Sequence, residues 1–128
     1  LGKAEREMIV VATSALNRCL YCVVAHGAVV RIRAKDPLIA DQLAVNPARA
    51  PLDARQRAMI AFATKVATAS HAIEDGDLEA LRALGFTEDD IWDIGAIVAF
   101  FAASNRMANF AGLAPNAEFH GMARAFPE

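Results

Sequence analysis

The chain has almost no surplus of either charge: its 128 residues hold 13 Lys and Arg against 15 Asp and Glu, a formal net charge of −2. A nucleic-acid binder would show a basic patch and a membrane-surface protein a polybasic run, so neither partner is expected. Long hydrophobic runs are also missing. The longest unbroken one, Ile94 to Ala103, has ten residues, whereas a bilayer-spanning helix needs about 20. No basic stretch precedes a short apolar segment at the N-terminus, so no secretory leader is expected. Aromatic residues are few, with one Trp and one Tyr. β-branched residues come only in short clusters, such as Val10-Val11 and Val29-Val30, and strand–turn–strand alternation is absent.

What the chain does have is alanine, 29 of them, within an apolar share of 55%. Alanine is the best helix former and lets helices approach closely, so the expected fold class is all-α. An apolar share this high excludes disorder. It also exceeds what a small interior can hide, which points to a homo-oligomer.

Helical periodicity and end signals divide the chain. The first helix is expected over Lys3–Leu16, stopped by Asn17, because Asn tolerates a left-handed helix end. A second runs from about Cys19 to Lys35, ended by Asp36-Pro37, and a short one covers Leu38–Val45. A loop follows over Asn46–Leu52. Asp53 caps a helix reaching about Ser70, and Asp77–Leu84 forms a short one closed by Gly85. Thr87 and Asp90 resemble a capping box for a long helix, Glu88–Ala111, closed by Gly112. That helix has two apolar faces, Ile91-Ile94-Val98-Phe101-Ala108 and Trp92-Ala96-Ala99-Ala103-Met107, so it is buried or packs on another subunit. A further helix is expected in the tail over Glu118–Ala125. Arg6–Thr13 and Arg57–Thr64 match at five of eight positions, offset by 51. The match is either an internal helical repeat or chance in an Ala-rich chain.

Cysteine is confined to one pair, Cys19-Leu20-Tyr21-Cys22, with His26 four residues on. Haem attachment needs His directly after the second Cys, where Val23 stands, and a four-ligand zinc site needs another cysteine pair. A thioredoxin-type dithiol needs a βαβ setting. A dithiol on a helical scaffold remains, and it has a physical basis. Cys22 and His26 are one turn apart, and Cys19 lies one turn before Cys22, so all three share a helix face. If the helix begins near Cys19, its free N–H groups and dipole favour a thiolate. The imidazole can take the thiol proton. The same cluster with Glu7 could instead offer mixed S, N and O ligands to zinc, or store a redox signal without turnover.

Glu7, then eleven residues, then Cys19-x-x-Cys22-x-x-x-His26 resembles the alkylhydroperoxidase D group of the carboxymuconolactone decarboxylase superfamily. The phrase Asn17–Gly27 is similar to its peroxidase-related branch, as are Ala83–Asp90 and Ser104–Ala108. The resemblance implies an alkylhydroperoxidase D-like helical bundle that forms oligomers. It implies Cys22 as the peroxidatic cysteine, Cys19 as the resolving one, and His26 with Glu7 as a proton relay. The substrate would be a small or alkyl hydroperoxide. A lipoyl- or thioredoxin-like dithiol protein would be the reductant, with no cofactor and no resident metal. Better-studied members carry His between the cysteines; here Tyr21 stands there and is read as a pocket wall. Members also have helices ahead of the Glu-bearing one. Residues 1–128 are therefore read as a single domain in which those helices are missing or supplied differently. Lactone decarboxylation does not use a CxxC pair, so the dithiol argues against it. A disulfide that is repeatedly reduced suits the cytoplasm.

Overall fold

The computed structural model describes residues 1–126; the last two residues of the chain lie outside the described residues. Six α-helices follow in order: α1 (Lys3–Leu16), α2 (Leu20–Ala34), α3 (Ile39–Val45), α4 (Ala54–Ala69), α5 (Asp75–Ala83) and α6 (Glu88–Ala111). Among the described residues there is no strand. The all-α class and the long closing helix are as the periodicity implied.

α1 is the central helix because its stretch Met8–Ala12 is apolar on every side. Residues Met8 through Ser14 are all buried, and α2, α3, α4 and α6 pack around them. α2 and α3 approach closely at Gly27, where a Cβ would lie 3.5 Å from that of Ala40. The matched stretches of α1 and α4 use four of their five identical residues alike, whereas Arg57 bonds to loop carbonyls and Arg6 is exposed. Met8 and Met59, Ile9 and Ile60, and Ala12 and Ala63 are all core residues. The Thr13 and Thr64 hydroxyls each donate to the carbonyl four residues back, at 2.8 Å.

The helix starts follow local chemistry. Asp53 and Gln56 form a capping box on α4, and Thr87 and Asp90 form one on α6. α5 begins at Asp75, two residues earlier than Asp77, because Glu74 and Asp77 make a box of their own. The loop after α3 tightens into a 3₁₀ turn at Pro47–Arg49. The tail helix expected over Glu118–Ala125 is not formed; only a 3₁₀ turn, Ala117–His120, appears. Its carbonyls have a different partner. The buried Arg31 guanidinium donates to the carbonyls of Phe119 (3.0 Å) and Met122 (2.7 Å). Arg124 grips Asp41 with two bonds of 2.8 and 3.2 Å. Together they strap the tail across α2 and α3.

α6 leaves its second apolar face outward, with Trp92 78% and Phe110 83% exposed. Its length, and a mean hydropathy of 1.2 over an 18-residue stretch, would suffice to cross a membrane, which the count of unbroken runs did not anticipate. Ser104, Asn105 and Asn109 interrupt the run without adding charge. Within this fold those amides find partners: Asn105 and Asn109 both bond to the end of α1.

Candidate functional site

The connection from α1 to α2 takes three residues, Asn17 to Cys19. The left-handed residue is Arg18 (φ 53°), not Asn17 as the sequence suggested. Arg18 N–H donates to the Ala15 carbonyl and Cys19 N–H to that of Ser14, each at 3.1 Å. This is the Schellman pattern of a helix end. Asn17 is occupied otherwise: its amide donates to Asn105 Oδ1 (3.1 Å), and its carbonyl accepts from Asn109 (3.0 Å). Asn105 is fully buried and also donates to Ser14 Oγ (2.9 Å).

Cys19 then opens α2. Its sulfur is the N-cap, accepting the Cys22 N–H at 3.2 Å. The two sulfurs lie at disulfide distance and close as a disulfide, with Cα atoms 5.3 Å apart. Both are buried, and they pack with Ala108 of α6 in a small cluster apart from the main core.

His26 stands one turn beyond Cys22. Its Nδ1 pairs with Glu7 Oε2 of α1 at 2.7 Å. A carboxylate only accepts, so Nδ1 carries the proton and Nε2 is the nitrogen left to exchange one. The other Glu7 oxygen accepts from Arg33 at 3.4 Å. Phe101 of α6 meets the imidazole edge to face, with centroids 5.0 Å apart. Among the described residues, His26 bonds to neither sulfur, and no group of three or more His, Cys, Asp or Glu is arranged to hold a metal ion.

Cys22, His26 and Tyr21 line one cavity of about 280 Å³, closed on the α6 side by Phe101, Ser104 and Met107. Cys19 lies behind Cys22 and does not reach it. A larger hollow of about 520 Å³, beside Trp92, holds no cysteine or histidine, so chemistry and not size picks the site. Thus α1 supplies Glu7, α2 supplies Tyr21, Cys22 and His26, and α6 supplies the opposite wall. His71 and His120 are exposed, each in a 3₁₀ turn away from this cavity. Among the neighbours of the site that went unread in the sequence as site residues are Arg33, Phe101, Ser104 and Met107. Phe101 and Ser104 share a helix face, but the sequence does not say that this face meets α2.

The family model described as the carboxymuconolactone decarboxylase family matches residues 1–37, which contain Glu7, Cys19, Cys22 and His26. A search of the curated proteins finds no match. Among solved structures, the chain is similar to the alkylhydroperoxidase AhpD core of Ralstonia eutropha JMP134, an uncharacterized peroxidase-related protein. The two are 61% identical over 99% of this chain and 67% of that one, with a TM-score of 0.96. It is also similar to an uncharacterized peroxidase-related protein of Silicibacter sp. TM1040, 51% identical over 97% of this chain and 65% of that one, with a TM-score of 0.94. The chain thus spans about two thirds of the length of each. On identity and fold together, it belongs to the alkylhydroperoxidase D-like group of the carboxymuconolactone decarboxylase superfamily.

Proposed function

We propose that the chain is a thiol peroxidase that reduces small or alkyl hydroperoxides through a Cys19/Cys22 dithiol–disulfide cycle. One observation carries this reading: Cys22 and His26 open on the same cavity, and Glu7 fixes His26 with its free nitrogen available. The Cys22 thiol gives its proton to His26. The thiolate attacks the terminal, hydrogen-bearing oxygen of R–O–OH; the S–O bond forms and the O–O bond breaks. The sulfur is oxidised to a sulfenic acid and the peroxide reduced to an alcohol, which takes its proton from His26. Cys19 then displaces hydroxide from the Cys22 sulfur, water leaves, and the disulfide forms.

An external dithiol of lipoyl or thioredoxin type returns the pair to thiols by exchange. Attack falls on the Cys22 sulfur, since Cys22 and not Cys19 reaches the cavity, and Cys19 leaves. We assign the outward face of α6 to contact between copies of the chain in a homo-oligomer, and the working compartment to the cytoplasm. The burial of both sulfurs favours one rival, a redox sensor that oxidises without turning over.

The test is a thiol count before and after one equivalent of hydroperoxide, on wild type and Cys22→Ser. Rapid loss of two thiols in the wild type, and none in the variant, is expected. Survival of the wild-type thiols would overturn the reading. Oxidation without turnover in excess dithiol would select the sensor.

A further inference from the structure

Several hydroxyls on the helices have protein partners, whereas Tyr21 and Ser104, both at the Cys22–His26 cavity, have none. Thr13, Thr64 and Thr68 each donate to the carbonyl four residues back, at 2.8 Å, and Ser14 accepts from Asn105. Ser104, half-buried at the wall of the Cys22–His26 cavity, forms no such bond. Its oxygen is open to the cavity, where a bound ligand can take the bond that water otherwise makes.

Its position says which ligand atom. On α6, Phe101, Ser104 and Ala108 follow at one-turn intervals on one face. Phe101 touches the His26 ring, and Ala108 packs on the Cys19–Cys22 pair. Ser104 stands between them, on the cavity wall that faces the gap between sulfur and imidazole. That gap is where a hydroperoxide must lie if Cys22 attacks one oxygen and His26 protonates the other.

We infer that Ser104 is a catalytic residue whose hydroxyl donates a hydrogen bond to the peroxide oxygen that leaves as alkoxide. The inference rests on the peroxidase reading. As the Cys22 thiolate forms its bond to the terminal oxygen and the O–O bond breaks, negative charge gathers on the oxygen still bound to carbon. Ser104 Oγ–H shares that charge until the proton on His26 Nε2 arrives. Cys22 is oxidised by two electrons, the peroxide is reduced to R–OH, and Ser104 is unchanged. A preplaced donor at a developing oxyanion contributes strongly because it needs no reorientation as the charge develops.

The experiment compares wild type, Ser104→Ala and Ser104→Thr with two oxidants, tert-butyl hydroperoxide and a peroxycarboxylic acid. The peracid releases a carboxylate, a leaving group that needs little help. The expected result is a loss of about 10- to 100-fold in the second-order rate of Ser104→Ala with the alkyl hydroperoxide. Its loss with the peracid should be under about threefold, and Ser104→Thr, which keeps the hydroxyl, should recover most of the rate. Disulfide reduction by dithiothreitol should be equal in all three. If Ser104→Ala matches wild type with both oxidants, or loses equally with both, the role of Ser104 is overturned while the peroxidase reading stands. A wild type that consumes neither oxidant overturns both.

Discussion

Truncating Asn105 to alanine should cost this protein a large part of its stability, although no reacting atom touches that side chain. Asn105 is fully buried and joins α6 to the end of α1 by two bonds, to Ser14 Oγ at 2.9 Å and from Asn17 at 3.1 Å. Each bond is worth about 1 kcal/mol net, and a buried group left unpaired costs about 1–3 kcal/mol more. Ser14 is itself fully buried and would lose its amide donor, whereas Asn17 is half-exposed and can turn to water. The total is about 3 kcal/mol. At about 4 °C per kcal/mol for a chain of this size, the thermal midpoint should fall by about 12 °C. Asn109 provides the control, since it makes one exposed bond to the Asn17 carbonyl in the same network. Asn109→Ala should cost under about 1 kcal/mol. Urea unfolding of both variants, with the cysteines held reduced, measures the difference. Equal losses would refute the assignment of this cost to burial.

Two further outcomes follow from the geometry. Glu7→Gln keeps an oxygen that can bond His26 Nδ1 but removes the charge, so thiol loss to hydroperoxide should slow by about 10- to 100-fold while the disulfide still forms; stopped-flow thiol kinetics checks this. The hydrogen bond from Arg124 holds the Asp41 carboxyl below its usual range. A depressed carboxylate contributes stability above its unfolded pKa, about 3.9, and loses it as pH falls through the folded value. Near neutrality, wild type should therefore exceed Asp41→Asn by under about 1 kcal/mol, an exposed pair being weak, and urea midpoints of the two should converge in acid.

Much of the scaffold was readable because its signals are local. Asp53 and Thr87 announce α4 and α6 through bonds that span three residues. The spacing of Cys19, Cys22 and His26 is equally local and marked out one face of α2. Glu7 needed a family pattern, since nothing near it in the chain distinguishes it from Glu5; the pairing with His26 crosses 19 positions. What stayed hidden depends on contacts between distant segments. Arg31 reaches the tail carbonyls 88 and 91 residues away, and this strap takes the place of the helix expected there. Asn17 was read as the left-handed stop, yet its side chain is engaged by α6, and Arg18 takes the strained position. The amphipathic pattern of α6 showed two faces without saying which one closes the cavity.

The N-cap role of Cys19 bears on how the dithiol should be dissected. Its sulfur accepts the Cys22 amide at the start of α2, so an alanine there would remove a redox group and a helix cap together. Losing a cap costs about 0.5–2 kcal/mol, and the frayed turn would carry Cys22 with it. Serine is itself among the preferred caps and would leave the turn in place. A contrast between Cys19→Ser and Cys19→Ala therefore separates two inheritances of a single atom: the electrons it exchanges and the helix it begins.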